Sequence, residues 1–225
     1  MEYSKIEKLG VNPSLLGFGC MRFPKKEDGT IDEAEAERMI DHAIANGVTY
    51  IDTAYPYHDG ASEPFVGKVL KKYDRKSFYL ATKLPMFKIE SLEEAKEIFE
   101  EQMKRLDVDY VDFYLLHALN KTQWQKVLDL GILPYVEELK KEGRIKNLGF
   151  SFHDDYEVFE EIVNYRDWDF CQIQLNYLDT DIQAGMKGYK LTEEKNIPLI
   201  IMEPIKGGAL ANLPEDIAHV FTDYN

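Results

Sequence analysis

A barrel of parallel strands wrapped by helices is the fold this chain predicts, and three observations carry it. Six short apolar runs each end on a polar or reactive residue: Asp52, Lys83, His117, Ser151, Asn176 and Glu203. Successive endpoints lie 25 to 34 residues apart, the length of one strand, one helix and two loops. Segments of helical period fill the intervals, so strand and helix alternate along the chain. Parallel strands connected in this way bring all six endpoints to one face of one sheet.

The elements follow in order. Residues 1–12, with Gly10-Val11-Asn12-Pro13 as turn formers, read as an N-terminal hairpin, and residues 15–19 as a first strand. Asp32 with Glu35 is an N-cap and capping-box pair. Ala36, Met39, Ile40, Ala43 and Ile44 then repeat at helical spacing until Asn46-Gly47 stops the helix. After the strand at 48–51, Ser62-Glu63-Pro64 opens a short helix whose first turn tolerates proline. Beyond the strand at 79–82, Ser91 with Glu94 opens a helix whose stripe of Ala95, Ile98, Phe99, Met103 and Leu106 is interrupted by Gln102. Residues 111–116 form the next strand, and residues 124–141 hold a helical pattern that Gly131 and Pro134 divide into two pieces. Strands at 145–150, 170–175 and 198–202 alternate with helices at 155–165 and 181–195.

Alternation of this kind also fits an open doubly wound sheet. Gly17-Phe18-Gly19 does not complete the G-x-G-x-x-G fingerprint that such a sheet carries after its first strand, so the barrel is favoured. The expectation is a single domain over residues 1–225: a TIM-type (β/α)8 barrel with about seven parallel strands, incomplete because a full barrel needs about 250 residues. The last strand and helix are expected to be missing.

Composition narrows the function. A formal charge of −14 opposes binding to nucleic acid or to anionic membranes, so an anionic ligand requires positive charge gathered locally. No run reaches the roughly 18 apolar residues of a membrane span, and the charged start is unlike a secretory signal, which points to the cytoplasm. Cys20 and Cys171 are the two cysteines, with no C-x-x-C pair, so neither a disulfide framework nor a zinc or iron-sulfur site is expected.

The chemistry lies at the strand ends. Asp52-Thr53-Ala54-Tyr55-Pro56-Tyr57 puts a carboxylate at one strand end and a phenol five residues later; Lys83 and His117 end the next two strands. Each residue alone has a plainer reading: Asp52 as a helix cap, Tyr57 as loop packing among 14 tyrosines, Lys83 and His117 as structural or solvated groups. Together with Ser62-Glu63 and Gly67, Ala81-Thr82-Lys83, Tyr114-Leu115-Leu116-His117 and Gly149-Phe150-Ser151, the set resembles the aldo-keto reductase superfamily, in the family's order and over nearly all of the chain. The resemblance implies a barrel that binds a nicotinamide cofactor, NADP or NAD with NADP favoured, and a catalytic tetrad of Asp52, Tyr57, Lys83 and His117 acting on a small-molecule carbonyl. Physical logic supports those roles. Hydride arriving at a carbonyl carbon leaves an alkoxide in need of a proton, and a phenol donates poorly near neutrality unless a cation stabilises its anion. Lys83 is that cation, Asp52 holds it, and His117 aligns the carbonyl oxygen.

The resemblance also assigns Ser151 and Gln172 to the carboxamide, although Phe152 and then His153 stand where the family usually has asparagine. Met202 replaces the tyrosine that many members pack against the nicotinamide ring, and a thioether substitutes only in part. Glu203 neighbours that position, as does Asn176. Lys206 with Gly207 and Gly208 looks like a pyrophosphate loop, an exposed turn being the competing reading. Tyr55, Phe87 and Trp124 are aromatic candidates for the pocket, against ordinary packing. The F-S-F-H and M-E-P-x-x-G-G wording resembles the branch whose longer members carry a C-terminal iron-sulfur segment, whose cysteines this chain lacks. Two other readings stand beside the reductase. One is an inactive or binding-only truncated barrel whose open edges invite self-association; the other is a metal-dependent hydrolase, for which no second histidine ends a strand.

Overall fold

The computed structural model describes residues 1–211 and Leu213. Seven strands form one sheet in sequential order, every neighbouring pair parallel. They are β1 (Gly17–Gly19), β2 (Tyr50–Asp52), β3 (Tyr79–Leu84), β4 (Val111–Leu119), β5 (Ile145–Phe152), β6 (Phe170–Gln174) and β7 (Leu199–Met202). The crossovers carry α1 (Glu33–Ala45), α2 (Ser62–Leu70), α3 (Leu92–Leu106), α4 (Lys121–Asp129), α5 (Ile132–Lys141), α6 (Tyr156–Tyr165) and α7 (Gly185–Glu194). The sheet is strongly curled. Gln172 on β6 donates to Asp52 on β2 at 3.3 Å, whereas four strand spacings in a flat sheet would separate them by roughly 19 Å.

Helix starts follow the expected chemistry. The Asp32 side chain accepts from Glu35 N at 3.3 Å and Ser91 from Glu94 N at 3.2 Å. The return half of each capping box goes elsewhere: Glu35 pairs with Arg38, and Glu94 accepts from the backbone of Glu90, one residue before the cap. Gly131, at φ 66°, separates α4 from α5, and Pro134 falls in the first turn of α5. Helix α7 begins later than its periodicity suggests, because Gln183 and Gly185 adopt left-handed backbone and Met186 N bonds back to Thr180 O. The N-terminal hairpin forms through Tyr3 with Ser14 and Ile6 with Val11, its turn closing at Gly10 rather than beyond it.

Strand periodicity divides the interior into two levels. Tyr50, Ala81, Leu115, Phe113 and Phe170 make a buried floor inside the curl, with Phe113 at 5.2 Å from the Tyr50 ring and 5.0 Å from that of Phe170. Two residues further along their strands stand Asp52, Lys83, His117 and Gln172, and Ser151 holds the same level on β5. Leu9 and Val11 of the hairpin pack under the floor, and Lys8 anchors them through Asp167 at 2.6 Å and Trp168 O at 2.9 Å. A larger apolar layer lies between sheet and helices. Among the described residues β1 pairs only with β2, and β7 only with β6. The last strand and helix, expected to be missing, would fall on residues outside those described.

Candidate active site

The β3 lysine organises the mouth. Lys83 Nζ donates to Asp52 Oδ1, to Thr53 O at 2.9 Å and to Tyr57 OH at 3.3 Å, and lies 5.0 Å from the Tyr57 ring centroid. Burial pulls the Lys83 ammonium down, but the Asp52 carboxylate foremost, with Tyr57 beside it, outweighs that and holds the group above its ordinary value. Burial lifts the Tyr57 phenol; Lys83 opposes that rise and Asp52 adds to it. The site therefore holds a charged amine against a protonated phenol. After Tyr57 the chain turns through His58 and Asp59, both in left-handed backbone, and Phe23 N donates to His58 Nε2 at 3.1 Å.

His117 sits at an irregularity. The β4–β5 register shifts between Leu116 and Leu119, and Ala118 has φ 53°, a conformation that costs a side-chain-bearing residue about 1–2 kcal/mol. Ala118 N donates to Ser151 Oγ at 2.8 Å, which secures the bulge. The imidazole packs between the Tyr57 ring at 5.9 Å and the Phe87 ring at 5.6 Å. Its Nδ1 is buried without a hydrogen-bond partner among the described residues. Burial holds His117 well below the usual imidazole range, with Lys83 and His153 adding to the effect, so it is neutral.

The expected cofactor positions divide. Ser151 and Gln172 lie buried beside Asp52 and Ala118. Met202 closes β7 half-buried, and Glu203 follows in left-handed backbone with its carboxylate 3.5 Å from Arg22. Lys206, Gly207 and Gly208 form a short 3-10 turn with positive φ at all three residues, but Lys206 Nζ is already bonded to Asp179 at 3.0 Å. A Cβ at 207 would meet the Arg22 guanidinium at 2.8 Å, while one at 208 would meet open space. Asn176 turns into its own loop, where it accepts from Leu178 N and Asp179 N. Of the aromatic candidates, Phe87 reaches the site. Trp124 is buried among the helices against Tyr165, and Tyr55 stacks on Arg105.

Sequence reasoning missed Arg22 and Asp179, whose partners lie 181 and 27 residues away. It also missed a polar cluster behind Lys83, for which Gln102 in an apolar stripe was the visible signal.

Fold and site together define a class: parallel barrels that set a carboxylate, an amine, a phenol and an imidazole around one mouth at the strand ends. The sequence profile of the Aldo/keto reductase family matches residues 15–224, and the chain belongs to that family. It is similar to aldo-keto reductase YhdN of Bacillus subtilis, at 34% identity over 165 residues, 67% of this chain and 47% of that protein. The holo form of aldo-keto reductase AKR11C1 from Bacillus halodurans is 29% identical with a TM-score of 0.76, covering 96% of this chain and 71% of that one. An aldo-keto reductase from Klebsiella pneumoniae in complex with NADPH shares the fold at 20% identity and TM-score 0.74, over 99% of this chain and 76% of that one. The chain spans about half the length of the curated relatives it matches first, 44% and 47%.

Proposed function

We propose that this chain carries the catalytic residues of an NAD(P)H-dependent reductase of small-molecule aldehydes or ketones. The contact of Lys83 with both Asp52 and the Tyr57 hydroxyl carries the reading. When bound, the nicotinamide supplies hydride to the carbonyl carbon. Tyr57 gives its proton to the carbonyl oxygen, Lys83 stabilises the phenolate left behind, and Asp52 keeps Lys83 charged and aimed. Neutral His117 donates a hydrogen bond to the same oxygen and lowers the cost of the charge that develops there.

The residues present fit the cofactor. Ser151 Oγ already accepts from Ala118 N, so its hydrogen is available to a carboxamide oxygen; Gln172 offers the complementary amide. The left-handed turn at Gly207 and Gly208 leaves backbone open to a phosphate. Asp179 occupies the Lys206 charge, so Arg22, half exposed and held only loosely by Glu203, is the better phosphate partner. NADP(H) is favoured by the family and by the NADPH of the Klebsiella neighbour. Among the described residues no group of three His, Cys, Asp or Glu is disposed to hold a metal ion, and no helix is long and apolar enough to cross a membrane.

Replacing Tyr57 with Phe is expected to cut turnover roughly 10²–10⁴-fold while leaving cofactor affinity within about twofold. A variant that keeps wild-type rates would overturn the assignment. Absence of any NADPH or NADH binding by the wild type would favour the binding-only reading. The sheet edges at β1 and β7 support self-association as well, which sedimentation reads directly.

A further inference from the structure

Behind Lys83, on the face of β3 turned toward the helices, a polar cluster replaces the apolar layer. Glu63, Thr82, Gln102 and Tyr114 are all fully buried. One oxygen of Glu63 accepts from Thr82 Oγ1 at 2.6 Å and from Gln102 Nε2 at 2.8 Å; the same Gln102 nitrogen lies 3.0 Å from the backbone oxygen of Lys83. Tyr114 OH donates to Gln102 Oε1 at 2.7 Å and fixes the orientation of the amide. The other Glu63 oxygen faces Arg105 at 3.4 Å. Arg105 holds the loop that carries Tyr57: it reaches Tyr55 O at 3.4 Å, stacks at 4.1 Å from the Tyr55 ring centroid, and pairs with Glu101, which also accepts from Tyr55 OH.

We propose that Glu63 is a positioning residue that sets the distance between Tyr57 and Lys83, acting through Gln102 on the lysine strand and through Arg105 on the tyrosine loop. The proposal rests on the reductase reading of the site. Gln102 and Arg105 stand one turn apart on α3, so a single carboxylate at the start of α2 ties both halves of the proton-donating pair to one rigid helix. Packing alone does not explain the choice of residue. A buried carboxylate is costly, and burial pushes the Glu63 carboxyl up against the pull of Thr82, Gln102 and Arg105, so the residue is accounted for by the partners it holds rather than by the volume it fills. Two oxygens in fixed geometry can serve two directions at once, which a hydroxyl or an alkyl group cannot.

The leverage comes from the Lys83 to Tyr57 separation of 3.3 Å, already at the long end for a hydrogen bond. Beside a buried ammonium such as Lys83 the stabilisation of a phenolate falls with distance. The groups facing the Tyr57 phenol are Lys83, Asp52, the Cys20 thiol, His117 and the buried Tyr50 phenol, and none of them changes in the variants below.

The test compares wild type, Glu63→Gln and Glu63→Leu in the full chain. The Tyr57 phenol is titrated by ultraviolet difference spectroscopy, each protein read against its own Tyr57→Phe counterpart. In Glu63→Leu the phenol is expected to titrate about one pH unit higher, with a smaller rise in Glu63→Gln, which keeps the acceptor and loses the charge. With NADPH and a carbonyl substrate, kcat is expected to fall about tenfold with KM values within about twofold, and the alkaline limb of its pH profile to move with the phenol. A folded variant that melts lower but leaves the phenol titration unmoved makes the role structural and overturns the proposal. Should Glu63→Leu fail to fold, Glu63→Gln carries the same two outcomes. If the wild type reduces no carbonyl, the reductase reading fails, while the phenol titration still decides the positioning role.

Discussion

Among the described residues the imidazole of His117 has no hydrogen-bond partner at Nδ1, and it is held neutral by burial, by Lys83 and by His153. That neutrality has a thermodynamic consequence. An unfolded histidine takes up a proton near pH 6.5, whereas the folded one does so only well below its ordinary value. Between those two points the unfolded state binds more protons, so acidification favours unfolding and stability declines as pH falls from about 6.5. His58 and His153, also lowered chiefly by burial, act in the same direction. The urea midpoint is expected to drop between about pH 7 and 5, and His117→Gln to flatten that slope; an unchanged slope would show that His117 titrates normally. At this scale the sequence was legible where spacing along one strand decides the outcome: Asp52, Lys83 and His117 end apolar runs, and the alternation of strand side chains turns them inward. Lys206 was not legible in the same way. Its charge is engaged by Asp179 through a loop whose shape depends on Asn176 accepting from two backbone amides, a tertiary detail without a local signature.

Helices α2 and α3 meet where Gly67 passes the end of α3. A Cβ there would lie 2.6 Å from Leu106 O and 2.7 Å from Arg105 O, both rigid backbone atoms. Gly67→Ala is therefore expected to force the helices apart and cost about 1–3 kcal/mol, lowering the melting temperature by several degrees; a thermal melt superposable on wild type would refute the close approach. Element boundaries were legible where chemistry is local, as at the Asp32 and Ser91 caps and at the Gly131 break. They were less so where a neighbouring strand intervenes. His117 was read as the end of its strand, yet β4 continues to Leu119 because the bulge at Ala118 restores pairing with β5. Gln102 was read as a blemish in an apolar stripe, and its meaning appears only when Glu63 and Lys83 are brought to it.

On the scale of the whole molecule the sheet is curled, and its first and last described strands each bond a single neighbour. Their ends approach at the mouth through Arg22 and Glu203. Among the described residues the outer edges of β1 and β7 have no strand partner, and pairing between copies across them would be opposed by a formal charge of −14 on every copy. Sedimentation velocity is expected to show mass rising with protein concentration, and more steeply at high salt, where like charges are screened; a single monomeric species throughout would remove the proposal of self-association. Seven parallel strands in chain order were legible because alternation is a property of the whole sequence. The curl was legible only as a choice of class, the barrel being favoured over an open sheet for want of a G-x-G-x-x-G fingerprint; its degree depends on strand twist and on how each helix packs.

The hairpin beneath the aromatic floor adds a matter of timing. Lys8 finds its partners 159 and 160 residues further along the chain. Synthesis runs from the amino end, so this stopper precedes Asp167 and Trp168 and waits until they exist before it can seat. A segment early in the chain is thus among the last to lock, because its anchor is a contact of very long sequence separation.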